Sequence, residues 1–417
     1  MLDCICVSSQ ITQPQTPSNT PLLDRIAPLP KPEGSDQKAR HTGRLIGAIM
    51  GILLPVVCVA MMIWVPGALD FFYRIFQPVN QALSRVMRLD NWALDTVFLL
   101  LSAWLAIIAA VVVHEIGHMI AGLGVGFRLN FIRFGPVQIS PPFHVSLLPR
   151  SRTKGSGATS MLFATTDRLR LRFIAMTLGG PMANLVSAFA VLILPLSMGA
   201  FSAWFVILSI LIGSGNLVPF RRLSLVSDGQ RILMVMRNGP QGERWIALLH
   251  LVTALQNGVA PESLSLDFLA KATAVQDNSP DTVSAHAVAY ASAFFQKNDV
   301  EAARLLETCL RYSSCSGPAM RDSLLSDAAV FQARRRRRVD LAEQWLADIP
   351  NKTQTPGLRL RAEAAILEAQ GDIGGALSKL DAYEAAALTI PTPSQRELSL
   401  RFLRRWQSEL QIEQNRG

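Results

Sequence analysis

His114-Glu115-Ile116-Gly117-His118 is the stretch of this chain whose residue types and spacing can do chemistry together. On a helix, positions i and i+4 share a face. Two imidazoles so placed can grip one Zn²⁺ while the glutamate between them serves as general base toward a water. The surroundings sharpen the expectation. No charged residue occurs from Thr96 to Val113, and His118 is the sole ionisable group from Ile116 to Phe127. Unliganded polar groups in so apolar a helix are costly, and ionisable residues at membrane depth mark function. The competing reading is a pair of packed core histidines with Glu115 bound to an arginine. The pattern predicts metal-dependent hydrolysis within a membrane, and proteolysis is the reaction it fits.

Two histidines do not complete a catalytic zinc site; a third protein ligand is needed, with the fourth position left to water. Asp228, in Ser227-Asp228-Gly229, is the candidate. Its other reading is the N-cap of a helix from Gln230 to Arg237. Asn184, in Gly179-Gly180-Pro181-Met182-Ala183-Asn184, offers an amide at membrane depth. It suits substrate backbone or an oxyanion, or else a helix–helix hydrogen bond. Asn216, in Asn216-Leu217-Val218-Pro219-Phe220, is a further candidate for substrate or oxyanion contact. His144 reads as a surface histidine rather than a ligand.

The elements that must position these residues are membrane helices. Half of the 417 residues are hydrophobic, concentrated in the first half of the chain. The uncharged run Leu45–Leu69 is long enough to span a bilayer, a second span covers about Trp92 to Gly124, and the uncharged run Phe173–Phe220 holds two more, broken near Pro195 and Gly199,. The expectation is therefore about four transmembrane helices. The first follows a long polar segment and is too long for a cleavable signal peptide. Arginines and lysines before span one, between spans two and three, and after span four place both termini in the cytoplasm; Arg74, Arg85 and Arg88 run against that pattern,. The expected location is a bacterial inner membrane. From Phe127 to Leu148 partial alternation predicts short strands at the membrane surface, broken at Gly135-Pro136 and Pro141-Pro142, whose edge could take a substrate strand,. The stretch Ser151–Thr166 reads as polar and flexible.

HExxH in one span, GGPxxN in the next, and N-x-x-P followed by Ser-Asp-Gly after that resemble the site-2 protease family of intramembrane zinc metalloproteases, over roughly residues 93–231. The resemblance implies a three-helix catalytic core, with His114, His118 and Asp228 as zinc ligands and Glu115 as the catalytic residue. This chain departs from the family by a longer run between Pro219 and Asp228 that carries Arg221 and Arg222. No segment resembles the PDZ module of some members.

Residues 1–43 are rich in Pro, Ser and Thr and read as a disordered cytoplasmic segment,. Residues 44–238 form the transmembrane metalloprotease domain, and residues 239–417 a cytoplasmic helical-repeat domain. In the latter, the segments beginning at Asn298, Arg338 and Gly371 each open a second helix after a short turn. Ala303, Ala342 and Ala376 recur at intervals close to the roughly 34-residue tetratricopeptide period,. Binding of a protein partner is the functional reading of such repeats, and a plain helical cap the alternative. The net charge of +9 fits a protein facing anionic lipid,. The arginine run 334–338 reads as a solvated or lipid-facing face, not a nucleic-acid site. The five cysteines show no metal-ligand spacing and read as free thiols,.

The fold class expected is mostly α: a polytopic helix bundle with a small membrane-surface β segment and a cytoplasmic helical-repeat domain. The expected function is a zinc endopeptidase cleaving transmembrane substrates in regulated proteolysis. The rival from another class is an inactive membrane scaffold that binds partners through its repeats.

Overall fold

The computed structural model describes residues 22–24, 92–148, 157–163, 167–193, 200–222, 225–237, 239–351, 353 and 355–415. The chain is mostly helical, with a small antiparallel sheet. Among the described residues, three helices are long and apolar enough to cross a membrane: α1 (Trp92–Gly124), α2 (Leu169–Ile193) and α3 (Ala200–Leu217). The expected span Leu45–Leu69 and the break at Pro195 and Gly199 lie outside the described residues.

These helices pack through small residues. Ala106 and Ala110 of α1 are fully buried against Phe205 of α3. Where α1 crosses α2, Gly117 meets Gly179 backbone to backbone. A Cβ on either would lie 2.4 Å from the other's carbonyl oxygen, so no larger residue fits,. Phe98, Leu101, Trp104 and Ile108 face outward from α1, the pattern of a helix whose outer face is solvated by lipid.

Between α1 and α2 the chain forms a sheet of strands β1 (Phe127–Phe134), β2 (Val137–Ser140), β3 (His144–Leu147) and β4 (Gly157–Phe163), ordered β3-β2-β1-β4 and antiparallel throughout. The first three follow the sequence expectation. The fourth corrects it, because Gly157–Phe163 is a strand where flexible polar chain was expected. Met161 and Phe163 bury against Phe127 and Phe173. The residues before them are small and polar because that end of the strand runs beside Glu115. A bulge at Asn130 interrupts the β1–β4 register and turns its buried side chain to Ser160 Oγ and Ser394 Oγ,.

A two-residue hairpin, β5 (Arg221–Arg222) and β6 (Leu225–Val226), takes up the long run after Pro219. Then follow α4 (Asp228–Met236), α5 (Pro240–Gln256) and α6 (Leu266–Thr273). Three helix pairs come next: α7 (Pro280–Phe295) with α8 (Asp299–Arg311), α9 (Pro318–Arg334) with α10 (Val339–Asp348), and α11 (Leu358–Gln370) with α12 (Ile373–Leu388). Helix α13 (Pro393–Gln414) packs along the last of these. The recurring alanine of the first pair is Ala302, not Ala303. Ala302, Ala342 and Ala376 each sit at the fourth position of the second helix and are fully buried. Asn298 caps α8 through the amide of Glu301 and thereby sets the register,.

The arginine run is not an open basic face. Arg334 pairs with Glu368 and Glu409, Arg335 with Asp299, Arg336 with Asp24 and Arg338 with Asp340, while Arg337 donates to the Glu368 carbonyl. Within the segment expected to be disordered, Leu22–Asp24 forms a 3-10 turn packed into the helical array.

Arg244 of α5 is fully buried and donates to Asp277, Ser279 and Thr282, tying α5 to the start of α7. Burial raises the Asp277 carboxyl pKa, but hydrogen bonds from Arg244, Ser279 and Thr282 outweigh it and hold the group at about 2, below its usual 3.8. Its stabilising contribution is therefore present above pH 3.8 and disappears as pH falls toward 2,. Asp277→Asn should destabilise the chain by about 2 kcal/mol at neutral pH, less than for a fully buried pair because the carboxylate keeps some exposure. Denaturant unfolding followed by circular dichroism checks this, and the gap between variant and wild type should close on acidification.

Candidate metal centre

His114 and His118 lie on the face of α1 that meets α2 and α4. Asn184 fixes the first. Its Nδ2 donates to the Ala110 carbonyl at 3.0 Å, and a carbonyl can only accept, so Oδ1 must be the atom 3.0 Å from His114 Nδ1,. His114 then carries its proton on Nδ1 and presents the Nε2 lone pair. His118 Nδ1 lies 3.0 Å from the Met176 carbonyl, which can only accept, and 3.3 Å from the Gly180 amide nitrogen; the shorter contact places its proton on Nδ1,.

Asp228 arrives from the other side. Ser227 builds its position: the buried hydroxyl donates to the Val218 carbonyl and accepts from the amides of Phe220 and Gln230. Ser227 is thus the N-cap of α4, and Asp228 is the first helical residue. This corrects the capping alternative and leaves the Asp228 carboxylate free to point at the histidines. Gly229 lets α4 touch the end of α3, because a Cβ there would lie 1.9 Å from the Leu217 carbonyl oxygen.

The three groups converge. His114 Nε2 and His118 Nε2 are 3.1 Å apart, and Asp228 Oδ2 lies 3.2 Å from the first and 3.4 Å from the second. With both ring protons on Nδ1, no hydrogen is available to join the two Nε2 atoms. A tetrahedral ion with ligand atoms at about 2.0–2.1 Å sets those atoms about 3.3 Å apart. His114, His118 and Asp228 thus fit the ligand set of a metal ion, and the oriented ring nitrogens are what such a site needs.

Glu115 lies beside this group in a cavity of about 310 Å³ that also reaches Thr159, Asn216 and Arg231. Thr159 Oγ1 is 2.7 Å from Glu115 Oε2 and 3.0 Å from the Glu115 carbonyl oxygen, so its one proton is shared between them. Gly157 leaves room for the carboxylate, since a Cβ there would sit 2.4 Å from Oε1.

The structure brings His114, Glu115, His118, Asp228 and Asn216 to one cavity. It separates two others. Asn184 is fully buried with both amide ends engaged, which favours the helix–helix role over substrate contact. His144 stands exposed on β3, outside the ligand group. The sequence did not single out Thr159, Met176 or Arg231. Only Arg231 carried a signal, three residues beyond Asp228 on the same helix. Its guanidinium lies 5.8 Å above the Trp245 ring.

Comparison with protein-family models, with curated proteins and with solved structures gives no match.

Replacing Asn184 by Leu should weaken divalent-metal binding about 10- to 100-fold, because the His114 ring loses the partner that fixes its tautomer. Asp228→Ala should lower metal occupancy further, and Asp228→Asn should retain part of it. Competition against a metal-binding dye in detergent measures all three.

Proposed function

We propose that this chain is a zinc endopeptidase that cleaves transmembrane proteins, of the site-2 protease type. The observation that carries the reading is the convergence of two oriented imidazoles and a carboxylate on one point, with a second carboxylate, Glu115, in the same cavity and apolar helices around it. A His–His–Asp donor set suits Zn²⁺, with one position left for water or substrate. When bound, the ion supplies a Lewis acid that acidifies water and stabilises an oxyanion.

The chain's own residues account for the remainder of the work. Glu115 is buried in the wall of the cavity beside the ligand group. It takes a proton from the attacking water and returns it to the leaving amine. Thr159 holds Glu115 Oε2 in place, leaving Oε1 for the water. Asn216 and Arg231 line the cavity wall and supply donors to the substrate carbonyl,. Among the described residues strand β4 pairs with β1 on one side only, so its other edge offers backbone groups beside the site. A substrate helix must unwind before its peptide bond can be attacked, and pairing with β4 would hold it extended.

The charge pattern puts the site toward the cytoplasmic leaflet and both termini in the cytoplasm. The helical pairs then lie at the cytoplasmic mouth, where tetratricopeptide-like repeats would hold the tail of a single-span substrate.

Glu115→Gln should leave metal content unchanged and lower cleavage of a membrane substrate at least about 10³-fold, the range of a lost general base. Metal analysis and a cleavage assay on the same preparation check it. Undiminished cleavage would end this mechanism, and intact metal without cleavage in the wild type would favour the scaffold.

A further inference from the structure

Of the chain before Trp92, the described residues with a defined fold and burial are Leu22–Asp24, a single 3-10 turn. Three residues cannot hold a helical turn unaided, so the contacts they make are what orders them. Leu23 is 1% exposed. Its side chain belongs to the core of the helical array, with Leu306, Leu310, Phe331 and Trp345. Its carbonyl accepts from Gln332 Nε2 at 2.7 Å and from Trp345 Nε1 at 3.4 Å. Gln332 is itself fully buried. Two buried side-chain donors, 309 and 322 positions away in the chain, therefore aim at one peptide carbonyl. Without that carbonyl both would be left unpaired in an apolar core, which is costly. Asp24 pairs with Arg336, whose guanidinium lies 5.4 Å above the Phe331 ring.

These three contacts read three features of a short peptide: an apolar side chain, its carbonyl and a following carboxylate. They come from α8, α9, α10 and the turn after α9, at the seam between two helix pairs.

We propose that this seam is a binding site for short leucine–aspartate peptides, occupied by the chain's own Leu22–Asp24 as an exchangeable tethered ligand. The site fastens the N-terminal segment to the helical array. It is independent of the metal centre and of the reaction proposed for it.

The test uses the full-length chain in detergent and a fluorescent peptide with the sequence of residues 18–28. A tethered ligand outcompetes the same peptide added in trans, so the peptide should bind the Leu23→Asp chain at least about tenfold more tightly than wild type. Adding Arg336→Glu to Leu23→Asp should weaken that binding at least about tenfold, and a peptide carrying Asp24→Lys should recover part of the loss. Equal binding to wild type and Leu23→Asp, or no binding to Leu23→Asp, would overturn the proposal. So would loss of helical circular dichroism in both Leu23→Asp and the milder Leu23→Ala, because the turn would then be a fixed part of the core.

Discussion

Three electron-pair donors held within 3.4 Å of one another in an apolar bundle are the constraint on which the rest of the structure turns. Left alone they repel, and each is penalised for leaving water. A cation relieves both problems at once, so the site makes physical sense around a metal. The scaffold then has two tasks: keep the lone pairs pointed inward, and keep the helices close enough for them to meet. Asn184 and the Met176 carbonyl do the first by holding the ring protons on the far side. The Gly117–Gly179 contact and Gly229 do the second by letting backbone touch backbone.

What could be read from the sequence follows from what chemistry fixes locally. His114, Glu115 and His118 are legible because one helix carries all three, and helical geometry dictates the spacing. Asp228 is legible as a candidate beside HExxH because it follows the last apolar run and adjoins a glycine, although helix capping is an equally ordinary use of such a residue,. That Ser227 does the capping, and so releases Asp228, depends on the hairpin after Pro219 and is not written in any spacing. Asn184 could not be assigned, because its role depends on how α1 crosses α2. Strand β4 was missed for a physical reason: the small residues that let it approach Glu115 are the ones that read as a flexible loop. The alanine of the first helix pair was placed one residue late, since Asn298 sets where α8 begins.

The arginine run and the N-terminal segment show the limit of composition. Five consecutive arginines average to a basic surface, yet each finds a partner. A segment rich in Pro, Ser and Thr averages to disorder, yet one leucine in it is fully enclosed. The sheet is tied to the array in the same tertiary way, Gln138 donating to Thr392 and Ser394 donating to Asn130, while Arg170 of α2 pairs with Glu243 of α5. These bonds hold the strand edge beside the metal centre and the helical array in one arrangement.

X-ray absorption on the full-length protein loaded with one equivalent of Zn²⁺ tests the metal centre most directly. The arrangement of His114, His118 and Asp228 predicts a four-coordinate nitrogen–oxygen shell at about 2.0–2.1 Å with the multiple scattering of two imidazoles. A six-coordinate all-oxygen shell, or a protein that retains no metal, would contradict it.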